Sequence, residues 1–119
     1  MATRERIIGT IVFRNDGDGC LSAKYLNNGT RTPFADCCKR MPNSIGNGFV
    51  GEYYTVWVES HEPSISGNAK LIITEIEDDG RPTNTFKLEW QIGDTLRNIF
   101  TGKAMMYGEL LVGYYQTES

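Results

Sequence analysis

The chain has 119 residues and a formal charge of −3, from 12 basic and 15 acidic side chains, and 39% of it is hydrophobic. That is apolar material for a single domain, residues 1–119, with one core. No run approaches the ~18 apolar residues of a membrane-spanning helix, and the charge gives no net attraction to phosphate backbones or anionic lipid, so neither nucleic acid nor membrane is expected as a partner.

The N-terminus is charged and then strand-like, without the long apolar segment of a secretory leader. The expected location is cytoplasmic, or secreted if a leader has been removed. Cys20, Cys37 and Cys38 make an odd count, which argues against a closed disulfide framework. Adjacent Cys37 and Cys38 point to opposite faces of a strand, so a bond between them would be strained, and reduced thiols are expected.

Residues 6–14 read as the first strand, with Ile7, Gly9, Ile11 and Phe13 on one face and Ile8, Thr10 and Val12 on the other. Two apolar faces imply burial on both sides or a subunit contact. Residues 15–19, Asn-Asp-Gly-Asp-Gly, carry the signal of a tight hairpin. The same acidic loop suggests calcium, but it lacks the closing glutamate of an EF-hand loop. A second strand follows from Cys20 to about Asn27, and Asn28-Gly29 turns the chain.

Residues 30–48 are poorly patterned and broken by Pro33 and Pro42. A short piece at 34–40 fits a strand or one helical turn, and periodicity does not decide between them at that length. Residues 49–60 are the longest strand candidate, with Phe49, Gly51, Tyr53, Thr55 and Trp57 on one face. A loop at 61–68 and a strand at 69–77 come next, and 77–82 turn the chain again. Residues 85–91 alternate most cleanly: Phe86, Leu88 and Trp90 on one face, Lys87, Glu89 and Gln91 on the other. After Gly93-Asp94, a strand at 96–101 and a connecting passage through Met105 and Met106 lead to a last strand at 108–116. In that strand Leu110, Val112 and Tyr114 oppose Leu111, Gly113 and Tyr115.

No amphipathic helix of ten residues is legible. Seven or eight strands with mostly short connections predict an all-β fold, an antiparallel up-and-down barrel of about eight strands, with a two-sheet sandwich as the alternative. Closure removes unpaired edges. Gly9, Gly51, Gly102 and Gly113 are the expected points of sharp bending.

Two stretches carry a family likeness. Gly9-Thr10-Ile11 with the run from Gly19 through Leu21 to Tyr25 resembles the opening of avidin-like chains, where a Gly-Thr-Trp strand precedes a Gly-x-Leu-x-Gly-x-Tyr strand. Phe86 to Trp90 together with Gly108 to Tyr114 resembles small bacterial lipocalin-like domains of no assigned function. The resemblance implies a calycin-type barrel. Ile11 stands in place of the family tryptophan, so the barrel is carried over and the biotin site is not.

Catalytic and metal signals are sparse. His61, the single histidine, lies beside Glu59 and Glu62, and a Cys-His pair of Cys37 or Cys38 with His61 is conceivable. Cysteine spacing matches no zinc site, phosphate-binding glycine loops are missing, and no cofactor is expected. A barrel of this size either fills its interior or holds one small ligand. Tyr25, Tyr53, Trp57, Phe86, Trp90 and Tyr114 are the expected ligand-binding residues, with Lys24, Lys87, Glu89 or Arg97 orienting a polar group if their face turns inward. The leading function is non-catalytic binding of a small apolar or amphipathic ligand. The alternatives are a cyclase- or isomerase-type barrel enzyme and a filled-core module that forms a homodimer or larger assembly. An interior faced by Phe86, Leu88 and Trp90 would be apolar; one faced by Lys87, Glu89 and Gln91 would be polar.

Overall fold

Period-two burial runs through nearly every segment expected to be extended. A computed structural model, which describes residues 6–44, 46, 48–58, 66–92 and 97–118, shows them as eight strands. They are β1 (Ile8–Gly17), β2 (Cys20–Asn27), β3 (Phe34–Arg40), β4 (Gly51–Val58), β5 (Ser66–Asp78), β6 (Arg81–Gln91), β7 (Asn98–Tyr107) and β8 (Leu110–Thr117). Each pairs antiparallel with the next, and β8 returns to pair with β1, from Ile8 opposite Gln116 to Arg14 opposite Leu110. The result is a closed up-and-down barrel. Among the described residues there is no helix, so none long and apolar enough to cross a membrane.

Turn chemistry places the hairpins. Gly17 pairs with Cys20 and Asp78 with Arg81, leaving the two-residue loops Asp18-Gly19 and Asp79-Gly80. All four loop residues have positive φ, between 53° and 78°, the conformation that Asp-Gly supplies and that matches strand twist. Gly108-Glu109 forms a third two-residue loop, between Tyr107 and Leu110, with the positive φ at Gly108. These hairpins share one end of the barrel.

That end is filled. Phe13, Leu71, Ile73, Leu88, Leu111 and Tyr53 are buried to 1% exposure or less. Beneath them, one guanidinium nitrogen of Arg40 donates to the carbonyls of Gly48 (2.8 Å) and Val50 (3.1 Å) and to the Tyr53 hydroxyl (3.0 Å). Tyr53 in turn donates to the Phe49 carbonyl at 2.9 Å. The β3–β4 connection is thereby tied under the core, which shuts this end to solvent.

On β6, Phe86, Leu88 and Trp90 point inward, while Lys87 is exposed and Glu89 half-buried on the outer face. β6 therefore turns its apolar face to the interior. Residues 34–40 are a strand, not a helical turn, because they pair on both sides, with β2 and with β4. The passage through Met105 and Met106 is the second half of β7, not a connection. A Cβ on Gly102 would lie 1.9 Å from the Tyr114 carbonyl oxygen, and one on Gly113 2.4 Å from that of Lys103, so the two glycines permit close approach of β7 and β8. On β1, Ile11 and Phe13 are buried, whereas Ile8 on the other face is 53% exposed.

Adjacent β6 residues report this orientation. Leu88→Ala is expected to lower stability by about 2–5 kcal/mol through lost burial and a cavity, and Lys87→Ala to change it by less than about 0.5 kcal/mol. Urea denaturation of the two variants measures the contrast; equal effects would place the faces the other way.

Candidate functional site

The opposite end of the barrel has a different filling. Here the inward positions alternate between large aromatics and very small residues. Trp57 lies across from Gly67, where a Cβ would come within 2.2 Å of the indole. Tyr115 lies across from Gly9, where a Cβ would come within 2.6 Å of the phenol ring. A ring that can lie flat over a glycine covers the wall instead of projecting to the axis. A cavity of about 190 Å³ remains, lined by Ile7, Ile11, Tyr25, Asn27, Asp36, Trp57, Trp90, Phe100 and Tyr115.

The aromatic wall is continuous. Tyr115 packs edge-on against Phe100 (centroids 5.6 Å apart) and Tyr25 (6.3 Å), and meets Trp90 at 5.8 Å. Trp90 is also edge-on to Phe100 at 6.4 Å. These are the favoured arrangements of aromatic quadrupoles. The Asn27 side-chain amide donates to the Tyr115 hydroxyl at 2.9 Å, which fixes that ring's polar tip at the rim.

One ionisable acid interrupts the wall. Asp36 sits on β3 directly opposite Trp57 and Ala23, and is only 4% exposed. Its carboxylate accepts a short hydrogen bond from the Thr55 hydroxyl. Thr55 in turn accepts from the Cys38 thiol at 3.5 Å. Burial is the main influence on Asp36 and pushes its carboxyl from 3.8 up to about 7, against the opposing pull of Thr55 and of the backbone N–H groups of Cys37 and Val56. Burial, and then the charge of Asp36, push the Cys38 thiol up as well, so it remains a protonated donor. No lysine, arginine or histidine lines the cavity among the described residues. Arg40, inward on the same strand, is committed to the closed end.

Of the residues expected at a ligand site, Tyr25, Trp57 and Trp90 line the cavity. Tyr53 is fully buried beneath it, and Phe86 belongs to the filled core. Tyr114 is on the outer face, 44% exposed; its neighbour Tyr115 takes the inward position. Lys24, Lys87 and Arg97 are exposed and Glu89 faces outward, so none reaches the interior. His61 and its flanking glutamates Glu59 and Glu62 lie outside the described residues, as does Gly93-Asp94. Cys37 is exposed on the outer face and Cys38 is inside.

The sequence does not single out Asp36, because residues 34–40 fit either a strand or one helical turn. Read as a strand, the run places Asp36 on one face with Phe34 and Cys38, and a carboxylate among inward residues is the available signal. The opposition of Gly9 to Tyr115 was not visible until the β1–β8 register was known.

The raised Asp36 pKa has a sign in stability. The unfolded chain loses this proton near pH 4, whereas the folded chain holds it to about 7. The folded state therefore loses stability as pH rises between those values, by at most about 4 kcal/mol from this group. Asp36→Asn, which does not ionise, is expected to gain on the wild type by up to that amount between pH 4.5 and pH 8. Thermal melts of both proteins across that range provide the measurement; parallel profiles would contradict it. Compared with protein-family models, curated proteins and solved structures, the chain matches none.

Proposed function

We propose that this barrel binds one small apolar or amphipathic molecule, without catalysis, in the cavity between Trp57, Trp90 and Tyr115. The observation that carries the reading is the division of the interior. One end is packed solid, and the other is walled by aromatic rings around about 190 Å³ of space. Ligand sites are concave and mostly apolar, with a few polar groups for orientation. The volume lies below the ~300 Å³ of drug-sized sites and just above the ~150 Å³ that admits benzene. The ligand is thus about one ring with a short substituent. Membership of the calycin-type barrels, which hold ligands in this way, rests on the sequence resemblance and the closed eight-stranded topology.

Both tryptophans of the chain line the cavity, so intrinsic fluorescence reports on it directly. Titration with benzyl alcohol is expected to shift tryptophan emission saturably. Ile11→Phe, which fills the space from β1, is expected to weaken binding at least about tenfold. A flat titration, or an affinity indifferent to Ile11→Phe, would contradict a site in this cavity.

A second reading, self-association, draws on the outer face of β7 and β8. Met105, Tyr107, Leu110 and Tyr114 are exposed there at 57%, 76%, 36% and 44%. Apolar groups gathered in this way are a common basis for subunit contact. Sedimentation equilibrium is expected to show a dimer or larger species that Met105→Glu dissociates, and a strict monomer at high concentration would exclude it.

A further inference from the structure

We propose that the ligand of this cavity is a small organic cation, an ammonium group on a hydrocarbon body no larger than one ring, with Asp36 as its counter-ion. The inference rests on the reading that the cavity binds ligand, and adds the ligand's charge.

The first argument is hydrogen-bond polarity. A carboxyl kept permanently neutral has a proton to give and needs an acceptor placed for it. Around Asp36 the arrangement is reversed. The Cys38 thiol donates to Thr55, and Thr55 donates to Asp36. The backbone N–H groups of Cys37 and Val56 also donate to the carboxylate. Every partner is arranged for an acceptor, as suits the ionised form. Among the described residues, that form has no positive charge beside it. Among the described residues, the groups facing Asp36 are Ala23 and the phenol of Tyr25 from β2, the Cys38 thiol on its own strand, and Thr55 and Trp57 from β4, with Tyr115 lining the same cavity from β8. None is cationic. A buried carboxylate without a counter-ion is costly, and pairing it with a cation while its hydrogen bonds are kept offsets much of that cost.

The second argument is the wall. Trp57 stands directly across the strand pair from Asp36, and Tyr25 is diagonal to it on the other side. Both line the cavity with Trp90, Phe100 and Tyr115. The negative faces of aromatic rings attract ammonium groups within about 6 Å, more strongly when water is excluded. Electron-rich rings around one acid provide two attractions for the same cation, and for an anion two repulsions. The chain's net charge of −3 favours the approach of a cation as well.

The experiment compares benzylamine, benzyl alcohol and benzoate, three probes of one size and different charge, by tryptophan fluorescence and calorimetry on the intact chain. Benzylamine is expected to bind at least about tenfold more tightly than benzyl alcohol at pH 8, and benzoate not at all. Its affinity is expected to fall at least about tenfold from pH 8 to pH 5, as Asp36 takes up its proton. Benzyl alcohol is expected to show no such fall. At pH 6, benzylamine binding is expected to release a proton, read as a dependence of apparent enthalpy on buffer ionisation heat. In Asp36→Asn the preference for the amine is expected to vanish while benzyl alcohol still binds. The wild-type comparison stands by itself if that variant does not fold. Benzyl alcohol or benzoate binding as tightly as benzylamine at pH 8 would overturn the cation inference and leave the cavity as a ligand site. Failure of all three probes to bind would overturn both.

Discussion

The pairing of β8 with β1 is the constraint from which the rest of the molecule follows. It removes every sheet edge and fixes the circumference of an eight-stranded barrel, whose interior is about wide enough for side chains to fill. What the inward residues do with that fixed space then decides the function. At the hairpin end they are bulky and meet on the axis, with Arg40 and Tyr53 tying the β3–β4 connection beneath them. At the other end Gly9 and Gly67 let Tyr115 and Trp57 lie flat, and the axis stays open. A filled barrel and a hollow one are thus combined along one axis, by changes of residue size within a single alternating pattern.

The hollow end holds the least comfortable group in the interior. Asp36 is desolvated by the barrel wall, and the donors around it only partly offset that penalty. Replacing it with an apolar residue of similar volume would suit a merely structural core better. The six hydrophobic side chains buried to 1% exposure or less, Phe13, Tyr53, Leu71, Ile73, Leu88 and Leu111, lie at the filled end. Stability and site chemistry are separated in space, so a costly acid is tolerated at the mouth of a barrel held together elsewhere.

The fold was legible in the sequence because its signals are local. Phe86, Leu88 and Trp90 alternate with polar residues, and Asp-Gly pairs mark hairpins at 18–19 and 79–80, whatever the remainder of the chain does. The site was only half legible because its signals are relational. Tyr25, Trp57 and Trp90 were found as large aromatics on strands. Tyr114 was chosen over Tyr115 because both faces of β8 carry apolar residues, and only the register with Gly9 and Gly102 shows which tyrosine has room inside. Asp36 was overlooked because a seven-residue run between prolines has no decisive period. In the sequence the glycine of the Gly102 to Tyr107 segment suggests a break, whereas in the barrel it admits the Tyr114 backbone.

The ionisation state of the Asp36 carboxyl can be observed directly. Carbon-13 NMR of protein labelled at the aspartate side-chain carboxyl, with Asp36→Asn used to assign the resonance, follows its titration without ligand. A midpoint near 7 is expected for an acid desolvated in an aromatic cavity. A midpoint near 4, that of an acid in water, would contradict the account at its centre.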